Sequence, residues 1–142
     1  MRQTTIGIVI ILLLIGIGVI FFSKIPTKTA PIPTPTNVIT LTEPVKDSLI
    51  TSPLYFSGQS RGQWYFEGTF PVVLTDDAGT IIAQGTATAQ GDWMTEQFVP
   101  FSGDIEFEAP PNSEKGKLIL QKSNPSDLPE DDDSLEIPIR FH

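Results

Sequence analysis

From Asn37 onward the chain alternates between apolar and polar positions, and no window of a dozen residues sustains a helical repeat. The last segment is the plainest. In SLEIPIRF, residues 134–141, Leu135, Ile137, Ile139 and Phe141 alternate with Glu136, Pro138 and Arg140, so the four apolar side chains share one face of a strand. The same period predicts strands at residues 37–42, 53–60, 69–76, 80–89, 99–109 and 116–123. Phe101, Ile105 and Phe107 read as inward residues of the fifth. Asp76-Asp77-Ala78-Gly79 separates the third strand from the fourth and reads as a hairpin turn, with glycine where a positive φ is cheap. Pro138 places the last strand at a sheet edge, where a missing N–H faces no neighbour. Seven short strands joined by turns predict an all-β fold, a seven-stranded β-sandwich.

The pattern before Asn37 is different. Ile6 to Phe22 is a run of 17 apolar residues without a charge. As a helix it extends about 25 Å, and with Thr4, Thr5 and Ser23 at its margins it can cross a hydrocarbon core of roughly 30 Å. The run ends in Phe21-Phe22-Ser23-Lys24 without a small-residue cleavage site, which favours an uncleaved transmembrane anchor over a cleaved signal peptide. Residues 1–5 are then an N-terminal flank. Ser23 to Thr36 carries prolines at 26, 31, 33 and 35 and reads as a Pro/Thr-rich linker in polyproline II, a spacer of roughly 40 Å. Residues 37–142 form the domain. Arg2 on one side of the anchor and Lys24 and Lys28 on the other nearly balance the positive-inside rule. The acidic, strand-rich cargo makes an extracytoplasmic domain the expectation, on a single-pass protein of a cell membrane.

Charge narrows the partners. All 17 acidic residues lie at or after Glu43, and only six of the nine basic residues lie beyond Lys28, so the domain carries a formal charge of −11. Phosphate recognition needs a dense Lys/Arg face, so nucleic acid is not an expected partner. The absence of cysteine removes disulfides, thiol catalysis and Cys-ligated metal together. The single histidine is the terminal His142, so a hydrolytic triad of the usual kind has no internal base, and the chain is not expected to be an enzyme. A small hydrolase working through carboxylates is the least favoured alternative.

The segments SPLYFSGQSRG, WYFEGTFPVVLTDDAGTIIAQGTATA, GDWMTEQFVPFSGDIEF and NPSDLPEDDDSLEIPIRF occur in that order. Together, over Val38 to Phe141, they resemble the immunoglobulin-like domain of bacterial spore germination and sporulation proteins. The resemblance implies an immunoglobulin-like sandwich on the outer side of a bacterial membrane, used for interaction rather than catalysis. It supplies no substrate.

Two stretches are candidate sites. RGQWYFEGTF, residues 61–70, and GDWM, residues 91–94, concentrate aromatic groups between strands. If residues 64–67 are extended, Trp64 and Phe66 share one face and Tyr65 and Glu67 the other. One pair then plugs the end of the sandwich, or Trp64 and Trp93 form an exposed platform for peptide or cell-wall glycan, rimmed by Arg61 and Gln63. Trp93 is the better of the two, because Gly91-Asp92 reads as a loop. The second stretch, SDLPEDDD at 126–133, fits no register of the EF-hand calcium loop. Pro129 followed by Glu130 and Asp131 suits the first turn of a short helix. A solvated loop is the favoured reading, followed by a Ca²⁺ site in which Asp131 and Asp133 are joined by Asp76 or Asp77 from another loop, and then by a docking surface for a basic partner. The function expected is a membrane-anchored interaction module for an envelope protein or glycan, with a calcium-stabilised adhesive domain as the alternative.

Overall fold

Seven antiparallel strands follow the alternation closely in the structure, a computed structural model that describes residues 38–142. They are β1 (Ile39–Glu43), β2 (Leu54–Arg61), β3 (Thr69–Asp76), β4 (Ile81–Ala89), β5 (Phe98–Ile105), β6 (Lys115–Gln121) and β7 (Ser134–Arg140). The largest departure from expectation is at β5, which ends at Ile105 rather than 109. The anchor expected at residues 6–22 and the linker at 23–36 lie outside the described residues. Among the described residues no helix is long and apolar enough to cross a membrane.

One correction concerns layering. A sandwich implies two sheets, whereas all seven strands join one hydrogen-bonded sheet in the order β1-β2-β5-β4-β3-β6-β7. The cause is β4, whose residues Ile81 to Thr88 pair with β3 while Thr88 and Ala89 reach Ser102 and Phe101 of β5. That one strand ties the β1-β2-β5 group to the β3-β6-β7 group. The chain also bridges the two outer strands. After β1 it crosses over, and Asp47 and Ile50 donate to the Pro138 and Arg140 carbonyls of β7 at 2.7 and 2.9 Å, with a parallel bridge at Leu49. The sheet is therefore nearly closed on itself, in the manner of a barrel. Pro138 lies on the strand at the end of the sheet, as its missing donor requires.

The inward face holds the core. Val72, Leu74, Leu118 and Leu120 are fully buried at the middle of β3 and β6, and Phe56, Phe101 and Ile105 face them from β2 and β5. Each such side chain contributes about 1.5–3 kcal/mol through burial. Ile139 and Phe141 are buried as the alternation requires, while Leu135 and Ile137 pack against the core half-buried. Phe107 joins Phe141 at 5.8 Å between ring centroids, just past the end of β5. Phe70 is the hub at one end of this core. Its ring centroid lies 5.8 Å from that of Trp64, 5.3 Å from Tyr65 and 5.0 Å from Phe101.

Candidate functional site

Three loops meet at the end of the sheet above Phe70. The first joins β2 to β3. Gly62–Trp64 makes one 3₁₀ turn, and the next residues close a two-residue hairpin in which the Phe66 N–H donates to the Thr69 carbonyl at 2.9 Å and the Thr69 N–H donates back at 3.1 Å. Glu67 and Gly68 have φ of 51° and 77°, the signs a type I′ turn requires, and glycine at the second position makes that turn affordable. The backbone is therefore not extended here, and the expected alternation of Trp64 and Phe66 against Tyr65 and Glu67 does not hold. Trp64 and Tyr65 both turn inward, at 0 % and 5 % exposure, and Phe66 turns out at 48 %. Trp64 is core and cannot act as a contact platform. Tyr65 donates its hydroxyl to the Val99 carbonyl at 2.9 Å. Burial raises its pKa above 10.0, against a weaker lowering by the Ser60 hydroxyl.

The β4–β5 loop, residues 90–97, locks onto the first. Ala89 donates to the Gly68 carbonyl at 2.8 Å, and the Arg61 Nη1 donates to the Glu96 carbonyl at 2.9 Å. Gly62 lies against the Trp93 and Thr95 carbonyls, where no side chain fits, and Gly68 faces the Trp93 ring. Trp93 is half-buried by this contact and packs on the core. Asp92 Oδ1 accepts from the Met94 N–H at 3.0 Å, holding Met94 outward at 77 % exposure. The Arg61 guanidinium sits 4.4 Å above the Phe98 ring. With Val38, Gln63, Thr95 and Glu96 it lines a shallow pocket of about 280 Å³.

The β6–β7 loop, residues 122–133, docks on the other side. Ser123 donates its N–H to the Trp64 carbonyl at 3.0 Å and its hydroxyl to the Thr69 carbonyl at 2.9 Å. The acidic stretch is internally organised. The Asn124 Nδ2 donates to the Leu128 carbonyl and to Asp132 Oδ1, both at 2.8 Å, and the Ser126 hydroxyl bridges Asn124 Oδ1 and Asp131 Oδ2 at 2.6 and 2.9 Å. Asp133 Oδ1 accepts from the Ser134 N–H at 2.9 Å. Pro129–Asp131 forms the short helical turn expected there, of the 3₁₀ type, and Leu128 before it is 48 % exposed.

The shared Ca²⁺ site that was the second reading of this loop, with Asp76 or Asp77, is not assembled. Asp76 pairs with Gly116 at the start of β6, whereas Asp133 lies beyond its end, where Gln121 pairs with Ser134. Five residues of strand separate the two places by about 17 Å. Asp76 and Asp77 instead accept from the Thr80 N–H and the Ser113 hydroxyl, each at 2.7 Å. Among the described residues no three carboxylate or histidine side chains converge as a metal-binding group.

The loop end thus offers four exposed apolar side chains, Phe66, Met94, Phe98 and Leu128, on a rigid base. Of the four, the sequence reading names Phe66, as the face partner of Trp64, and does not single out Met94, Phe98 or Leu128. Three of them, Phe66, Met94 and Leu128, stand at or near a turn signal (Glu67-Gly68, Asp92 and Pro129), and an apolar residue close to turn residues is the trace that could have marked them.

The family model described as "Immunoglobulin-like domain of bacterial spore germination" matches residues 38–128, more than half of the chain. Among curated proteins, a probable GTP-binding protein EngB from Serratia proteamaculans (strain 568) is 36% identical over 94 residues, covering 60% of this chain. The chain spans 44% of the length of that curated relative. No solved structure matches the chain.

Proposed function

The chain belongs to the immunoglobulin-like domain family of bacterial spore germination, and on that footing we propose that it is a non-enzymatic binding module displayed at a bacterial membrane. Residues 6–22 anchor it, residues 23–36 space it from the bilayer, and the domain stands on the extracytoplasmic side. The loop end built by residues 61–68, 90–98 and 122–133 meets the partner. The observation that carries this reading is the placement of Phe66, Met94, Phe98 and Leu128 on three neighbouring loops, of which the β2–β3 loop hydrogen-bonds to each of the other two. Pre-ordered loops lose little entropy on association, and exposed apolar anchors inside a polar rim are the usual core of a protein interface.

A protein of the cell envelope fits this surface better than a cell-wall glycan does. The tryptophan platform that would favour a glycan is not presented, because Trp64 is buried and Trp93 lies under Gly68, while the exposed side chains are a mix of Phe, Met and Leu. Calcium stabilisation is the weaker reading, because Asp131 and Asp133 already accept hydrogen bonds from their own loop. GTP binding, named for the Serratia relative, is not carried over: the Walker A pattern of glycines followed by Lys and Ser/Thr occurs nowhere in the sequence.

The test is a double charge substitution in the full chain, Met94→Glu with Leu128→Glu. Binding to the envelope fraction should weaken by about tenfold or more while the melting temperature stays within about 2 °C of the parent. Gln84→Glu, on the exposed face of β4, should bind as the parent does. Undiminished binding by the double variant would remove the loop end as the interface.

A further inference from the structure

Arg61 is held at the loop end by two contacts that use only part of its donor set. Nη1 donates to the Glu96 carbonyl at 2.9 Å, and the guanidinium carbon lies 4.4 Å from the centre of the Phe98 ring. Arginine carries five N–H donors in one plane. Stacking on Phe98 occupies the face of that plane, so the parallel pair on Nε and Nη2 is left without an acceptor among the described residues. No carboxylate pairs with it either. The domain sets 17 acidic side chains against six basic ones, yet the one ion pair among the described residues is Lys117–Glu136. Glu96 itself gives Arg61 its carbonyl, and its carboxylate stays beyond ion-pair distance.

The shallow pocket that Arg61 lines holds further donors. Thr95 Oγ1 accepts from the Gln97 N–H at 3.2 Å, which leaves the hydroxyl proton of Thr95 free to donate. Gln63, on the same pocket wall, is exposed and brings the N–H groups of its amide. The backbone beneath is fixed, because Gly62 lies directly against the Trp93 and Thr95 carbonyls. Arg61 is therefore ordered before anything binds, and a contact made through it loses little side-chain entropy.

We propose that this pocket receives a carboxylate of the partner protein, an Asp or Glu side chain bound by Nε and Nη2 of Arg61 together, with Thr95 and Gln63 as further donors. The site rests on the loop-end reading above and names the chemistry that the partner brings to it. A planar monoanion matches the fork of a guanidinium, whereas a phosphate dianion would set its second charge against Glu96 in the pocket wall. The pocket is shallow, and Arg61 joins it to the exposed ring of Phe98. The acid therefore arrives on a side chain whose neighbours cover Phe98, not as a small molecule enclosed on all sides. An ordered arginine beside exposed apolar groups is also the residue type that most often dominates a protein interface.

The experiment uses the isotope-labelled full chain and three probes at constant ionic strength: N-acetylglutamate α-amide, its glutamine counterpart and inorganic phosphate. The glutamate probe should shift the Arg61 Nε–H, Gln63 side-chain and Thr95 amide signals saturably. The glutamine probe and phosphate should each bind about tenfold more weakly or not at all. Arg61→Lys keeps the charge but not the fork and should weaken the glutamate probe about tenfold, and Arg61→Gln should abolish its shifts at Thr95. In the envelope-binding assay both variants should lose about tenfold or more in affinity while melting within about 2 °C of the parent. Envelope binding lost in Met94→Glu/Leu128→Glu but kept in Arg61→Gln would leave the loop end as the interface and overturn the carboxylate site. Binding kept in both would remove the loop end and this site with it. Equal shifts from the glutamate and glutamine probes, tighter binding of phosphate, or no shift at all would each overturn the proposal as well.

Discussion

Phe66 and Phe70 lie four residues apart on either side of one hairpin turn, and the structure assigns them opposite fates. Phe70 is 1 % exposed and touches three other rings, whereas Phe66 is 48 % exposed and ends in solvent. Truncating a buried phenylalanine costs about 3–5 kcal/mol. The edge-on contacts with Trp64 and Phe101, at 78° between planes, add favourable ring geometry that place Phe70→Ala in the upper part of that range, about 4–5 kcal/mol. Phe66→Ala removes half as much buried surface and leaves no cavity, so it costs about 1 kcal/mol or less. A domain of this size has a urea m-value of about 1.5 kcal/mol/M, so Phe70→Ala should lower the unfolding midpoint by about 3 M and Phe66→Ala by less than about 0.7 M. Both transitions are followed by the fluorescence of Trp64 and Trp93. If Phe70→Ala is unfolded from the start, Phe70→Leu, which keeps most of the volume, should fold with a loss of about 1–2 kcal/mol. Equal midpoint shifts for Phe66→Ala and Phe70→Ala would refute the assignment of one ring to the core and the other to the surface.

Three further outcomes follow from single contacts. Gly68→Ala puts a side chain at φ of 77° against the Trp93 ring and should cost about 1–2 kcal/mol with a shift in tryptophan emission; Gly79→Ala, at φ of 84° in open space, should lose stability without that emission shift. Tyr65 has its folded pKa raised above 10.0 by burial, so its contribution is complete below that pH and is lost as pH rises past it. Urea titrations should show stability falling at alkaline pH, and Tyr65→Phe should remove that Tyr65-linked part of the slope while costing about 1 kcal/mol at neutral pH through the lost bond to Val99. The Lys117–Glu136 pair at 2.7 Å is about half exposed, so Glu136→Gln should change the melting free energy by less than about 0.5 kcal/mol, less still in high salt.

The strands were legible because most hide one face. Leu54 and Phe56, or Ile137 and Ile139, follow from spacing alone, since a slip of one residue would turn them outward, whereas β3 buries Val72, Val73, Leu74 and Thr75 in succession and hides both faces. Asp76 to Gly79 was legible for a local reason too, the chemistry of a tight turn. What escaped is non-local or breaks the period. Trp64 and Tyr65 point the same way because a 3₁₀ turn replaces extended chain there, and the Glu67-Gly68 turn that follows is a weaker signal than Asn-Gly. The crossing segment at 47–50 pairs with a strand some ninety residues away, and no local pattern encodes that partner. The proposed contact surface was half legible. Arg61 and Trp93 do lie at the loop end, but Met94, Phe98 and Leu128 carry its exposed apolar area, and their neighbourhood depends on hydrogen bonds through Trp64 and Thr69.

The central claim is that three loops form one contact surface for an envelope protein, and site-specific photocrosslinking in living bacteria tests it most directly. A photoreactive residue placed at Met94, Phe66 or Leu128 of the full chain should give the same discrete protein adduct from all three positions, and none from Gln84 on β4. Adducts that appear equally from Gln84, or differ among the three loops, would contradict the account.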